Sequence, residues 1–135
     1  MAVKTYMKPT LAIVAREIAA FMNERGLERE EFSLVGSWQE RTGRISLLLG
    51  TTRNVDWFDW YQNIIGRLRS SFAEVGTPEA AWNIGLVVLT RTQDELYSSF
   101  RLTDGEEDVT DFLESTIGHT WDQLKASPTA TAAPG

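Results

Sequence analysis

A chain of 135 residues with 42% hydrophobic and 24% charged side chains has the size and composition of one globular domain with its own core, and no stretch approaches the roughly 20 apolar residues of a bilayer span. Thirteen basic against nineteen acidic side chains give a formal charge of −6, which repels a phosphate backbone, so neither nucleic acid nor a membrane is the expected partner. The absence of cysteine excludes disulfides, thiolate nucleophiles and cysteine-ligated zinc.

The apolar run after Lys4 and Lys8 is interrupted by Arg16 and Glu17, unlike a signal peptide, so a cytoplasmic location is expected. Pro9 and Thr10 start a helix carrying Leu11, Val14, Ile18, Phe21 and Met22 at helical spacing, and Gly26 ends it. From Phe32 the period becomes two, with Leu34, Gly36 and Trp38 alternating against Ser33, Val35 and Ser37. Glu40 to Gly43 forms a polar loop, and Arg44 to Gly50 returns as a second strand, completing a hairpin.

The best-marked element is Asp56 to Val75. Trp57, Phe58, Tyr61, Ile64, Ile65, Leu68, Phe72 and Val75 fall on one helical stripe, with Trp60 at its rim. Asn54 or Asp56 caps its start, and Gly76, Thr77 and Pro78 mark its stop. Trp82 to Arg91 then reads as a central strand, and Glu95 to Leu102 as its antiparallel partner after a turn at Thr92 to Asp94. Asp104 with Glu107 resembles a capping box opening a last helix, along which Val109, Phe112, Leu113, Ile117, Trp121 and Leu124 recur. Ser127 to Gly135 is low in complexity and reads as a disordered tail.

The expected fold is therefore α+β: one domain over residues 1–125 in the order helix, hairpin, helix, hairpin, helix, with a four-stranded antiparallel sheet packed against helices and residues 126–135 as a tail. If one sheet face meets the helices, the other shows Val35, Leu48, Val87, Leu89 and Tyr97 among Ser33, Ser37, Ser46, Gly85 and Ser99. That face is too apolar to be left to water, and its small residues let another surface approach closely. Either the first helix or a partner covers it. With Trp60, which at a rim would anchor an interface, these residues form the candidate partner interface: Val35, Leu48, Trp60, Val87, Leu89 and Tyr97.

No catalytic, cofactor-binding or metal-ligating constellation accompanies them. Asp104, Glu106, Glu107, Asp108 and Asp111 crowd a helix start, where negative charge offsets the macrodipole, and lack the spacing of a calcium loop. His119 is the one histidine and falls on the solvent side of the last helix, without a partner to orient it. Asp56 and Asp59 could form an acid–base pair, although acids in a first turn serve the dipole. Phosphate-loop, dinucleotide-binding and nucleophile-elbow motifs are absent. Arg41, Arg44, Arg53, Arg91 and Arg101 fall at strand ends and hairpins, where a local basic patch is a minor option.

The pattern of elements resembles the class I type III secretion chaperones: a small acidic chain with a first helix at Leu11 to Met22, two hairpins, a middle helix at Asp56 to Val75 and a last helix at Val109 to Leu124. The resemblance implies a dimer that holds an extended partner segment on apolar patches. The leading expectation is a non-enzymatic, adaptor- or chaperone-like protein-binding domain, paired with itself or with a protein partner and needing no cofactor. The alternatives are a small ligand-binding domain or enzyme with an aromatic-lined pocket between the sheet and Trp57, Trp60 or Trp82, and an immunity or inhibitor protein.

Overall fold

Strand β1 (Phe32–Gln39) and strand β2 (Arg44–Thr51) pair in register from Phe32 opposite Thr51 to Gln39 opposite Arg44. Gly43, at φ 70°, lets the connecting turn close with its N–H on the Gln39 carbonyl at 2.8 Å. This computed structural model describes residues 3–77 and 83–126. Among them are four α-helices and a four-stranded sheet: α1 (Lys8–Glu24), α2 (Trp57–Glu74), strand β3 (Ile84–Thr90), α3 (Gln93–Ser99), strand β4 (Glu106–Asp108) and α4 (Thr110–Ala126) complete the order.

The sheet runs β3-β2-β1-β4 and is mixed rather than antiparallel. β3 lies parallel to β2, with Leu48 opposite Val87, while β4 is antiparallel to β1. The reason is the crossover. A strand returning through a helix of 18 residues comes back in the direction it left, so β2-α2-β3 is a βαβ unit. The second hairpin expected from alternation does not form. Instead the Thr92 hydroxyl accepts the Glu95 N–H at 3.3 Å and the Glu95 carboxylate accepts the Thr92 N–H at 2.8 Å, a capping box that opens α3. The last helix likewise starts later than Asp104. Asp104 and Gly105 make a turn into β4, and the Asp108 carboxylate accepts the Thr110 N–H at 2.9 Å at the head of α4.

One sheet face carries α2 over β3 and α4 over β1, with α1 packed on both helices. The core between them includes Leu11, Ile18, Leu34, Leu47, Ile64, Leu68, Phe72 and Leu113, all essentially removed from water, each contributing about 2 kcal/mol relative to an exposed position. Gly36 packs tightly here: a Cβ would stand 2.7 Å from Leu113 Cδ1 and 3.0 Å from Leu47 Cδ2, so those side chains would have to move. The opposite face is covered over β1 and β2 by α3, not by α1. Leu96 of α3 is fully buried against Gly50, and Val35 is likewise shut away.

β4 pairs only with Ser37 to Gln39, so the rest of that β1 edge needs other partners. The Leu34 N–H is held by the Glu114 carboxylate at 2.7 Å, the Gly36 N–H by the Thr110 hydroxyl at 3.2 Å, and the Gly36 carbonyl accepts the Val109 N–H at 3.0 Å. Arg29 pairs with Glu114 and fixes that carboxylate. Trp82 and Pro78, and the tail expected over Ser127 to Gly135, lie outside the described residues.

Candidate protein-interaction surface

Asn83 accepts the Ile45 N–H at 3.0 Å, and Arg91 donates to the Thr51 carbonyl at 2.9 Å. Backbone groups alternate along a strand, so the odd-numbered residues of β3 face β2, and the N–H and C=O groups of Ile84, Leu86, Val88 and Thr90 point out along the free edge. No further strand lies beyond β3 among the described residues. The strand Ile-Gly-Leu-Val-Val-Leu-Thr carries no charge and no proline.

A groove of about 370 Å³ follows this edge, lined by Trp57 and Tyr61 of α2 and by Leu86, Val87, Val88 and Leu89. Trp57 is 60% exposed and packs edge-on against the equally open Phe58, ring centroids 5.7 Å apart. Their position follows from the cap. The Asp56 carboxylate accepts the Phe58 and Asp59 N–H groups, both at 3.1 Å, and sets α2 starting at Trp57. The first turn then overhangs the edge strand, and its aromatic residues meet water.

Of the six residues expected at an interface, Val87 is 48% exposed and Tyr97 is exposed, whereas Leu48 and Leu89 are half-buried. Val35 lies under α3. Trp60 is corrected from rim to core: only 4% exposed, it packs edge-on against Phe21 of α1 at 5.3 Å. The helical stripe assigned Trp57 and Phe58 to the core because a wheel treats every turn as equally covered. Trp57 was expected only as lining for a pocket against the sheet, where this groove lies, and Tyr61, one turn on, is the lining residue that reasoning missed.

A second, larger groove of about 610 Å³ crosses the open part of the far sheet face. Ser37, Ser46 and Gly85 stand side by side across three strands as its floor. The Arg44 guanidinium fills the space above Gly85, where a Cβ would lie 2.5 Å from Nη2. Glu106 borders the same groove and is held below the usual carboxylate range by the Thr103 N–H at 2.7 Å, with the Ser37 hydroxyl at 3.0 Å and the nearby Arg44 charge adding to the effect.

No family model, curated protein or solved structure matches the chain. Its chemistry has to be read from its own side chains. Among the described residues no group of three or more His, Cys, Asp or Glu is arranged to hold a metal, and no helix is long and apolar enough to cross a membrane. The acidic run divides among a turn, β4 and the first turn of α4. Asp56 serves as a cap and Asp59 pairs with Arg25 at 3.3 Å. His119 is exposed, its ring 3.4 Å from the Gln123 amide.

Proposed function

We propose that this chain is a protein-binding module, adaptor- or chaperone-like in kind, that works in the cytoplasm as a homodimer. The observation that carries this reading is the edge of β3: seven uncharged residues with an open row of N–H and C=O groups, beside an exposed tryptophan. An unpaired apolar edge is a template for another strand, and an aromatic residue beside it is the side chain most often found to anchor an interface. The order α1, β1, β2, α2 is the one expected for the first half of the chain, with two strands before the middle helix where the secretion chaperones usually have one more. The second half departs from the expected order, because α3 stands in place of a strand. Sedimentation velocity across a concentration series tests the proposal: a dimer that dissociates on dilution is expected, and a monomer at every concentration overturns it.

A second reading has one observation in its favour. The groove beside Trp57 and Tyr61 has the volume and apolar lining of a small-molecule site, so a flat apolar ligand would compete for the same edge. Saturable binding of a naphthalene-sulfonate dye to the dilute monomer, lost in Trp57→Ala, would favour that reading.

A further inference from the structure

We infer that two copies join by antiparallel pairing of β3 with β3 across a two-fold axis at Val87, fusing their sheets into one; this inference rests on the homodimer reading above.

The backbone selects the register. A two-fold axis perpendicular to the sheet makes the paired strands antiparallel and leaves the helices of both copies on the same face. In an antiparallel ladder, residues directly opposite one another alternate between pairs that exchange two hydrogen bonds and pairs that exchange none. The bonding pairs must therefore be drawn from the outward-facing residues Ile84, Leu86, Val88 and Thr90. With Val87 on the axis, Leu86 meets Val88 of the second copy and Ile84 meets Thr90, so every outward group of the strand is used. Moving the axis to Leu86 or Val88 keeps the parity but strands one end.

Charge favours a second copy at this edge over the β4 edge. The chain has a formal charge of −6 and repels its own kind, yet β3 paired with itself sets no charge against a like charge. The other edge would set Glu106 to Asp108 against the same acids. Area is also in range. Trp57 and Phe58 each leave at least half of the surface of an aromatic side chain open, so the four rings of a pair offer about 400 Å². Val87 and two seven-residue edges add to this, toward the lower end of the roughly 1,200–2,000 Å² of a stable interface. A dimer that dissociates on dilution is the natural outcome.

The absence of cysteine supplies a clean test. Val87, at a non-bonding pair on the axis, would face its own copy with Cα atoms about 4.5 Å apart, within the range a disulfide spans. Val87→Cys, oxidised with diamide, should give a covalent dimer at least about tenfold faster than His119→Cys, an exposed control on α4. Val87→Lys should raise the dissociation constant at least about tenfold while leaving the circular dichroism unchanged, because it sets like charges face to face. A wild-type dimer in which Val87→Cys crosslinks no faster than the control overturns the β3 seam and leaves the homodimer standing. A wild-type monomer at every concentration overturns both.

Discussion

β4 closes one edge of the sheet with three acidic residues, whereas β3 leaves the other edge to seven uncharged ones. On the β4 side the unpaired stretch of β1 is satisfied within the chain, Leu34 by Glu114 and Gly36 by Thr110 and Val109. On the β3 side nothing comparable lies beyond Ile84, Leu86, Val88 and Thr90 among the described residues. Short, charged and covered edges are how proteins prevent strand pairing. The two edges therefore differ in kind: one is short, charged and covered, the other longer, uncharged and, among the described residues, without a further strand.

The comparison can be broken most forcefully at β3 itself. Leu86 is nearly buried against the helices, so Leu86→Ala should cost about 2–5 kcal/mol and loosen the open edge before the sealed one. Urea denaturation measures the loss. Hydrogen exchange should show Val87 and Leu89 amides opening ahead of Trp38 and Gln39.

Opening the sealed edge is the converse experiment. Glu114→Ala strands the Leu34 N–H and removes the partner of Arg29, at a cost of about 1.5–3 kcal/mol for a lost hydrogen bond to a charged group. The denaturation midpoint should fall, and it should fall less in Glu114→Gln, whose amide oxygen still accepts. An equal loss in both variants would mean that the negative charge facing Arg29, which both remove, and not an acceptor for the Leu34 N–H, holds this edge.

How far these edges were legible in the sequence depended on which physical signal each residue carries. Period two in Phe32 to Gln39 and Arg44 to Gly50, and period 3.6 in α1, α2 and α4, reflect burial on one side, and burial follows from side-chain chemistry alone. Strand direction has no such local signature. The parallel pairing of β3 was encoded in the order strand, helix, strand, which demands a crossover, and was obscured by a second apparent alternation at Leu96, Phe100 and Leu102. Leu96 and Phe100 are also four apart, and Thr92 with Glu95 is a capping signature. At the candidate surface Val87 and Leu89 could be read from alternation, but Trp57 and Trp60 exchange roles because exposure at a helix end depends on what stands beside it.

Between the two edges, α3 hides Val35 and Gly50 with a single buried leucine and one capping box. Thr92→Ala should cost about 1 kcal/mol and free α3 to fray. Naphthalene-sulfonate binding in Thr92→Ala should rise as Val35 and Leu96 become accessible, while the proposed β3 pairing should be unchanged because β3 is untouched.

The smallest effect separates the edges by pH. Glu106 of β4 accepts from Thr103 and Ser37, and its carboxyl is held below its ordinary value of 4.5 in the folded chain. A carboxylate with a depressed folded pKa binds fewer protons folded than unfolded, so its contribution is complete above the unfolded value and is lost as pH falls through the folded one. Glu31 and Glu95 shift in the same direction, through Arg53 and the Thr92 N–H respectively, so the acid curve of the wild type alone is composite. The difference between wild type and Glu106→Gln isolates the β4 edge: it should be largest above the unfolded carboxyl value and close as pH falls through the depressed folded one. β3 carries no ionisable side chain, so the stability lost at Glu106 over that window should appear in the denaturation midpoint and, if β3 pairs with a second copy as proposed, not in the difference between the two proteins' dissociation constants.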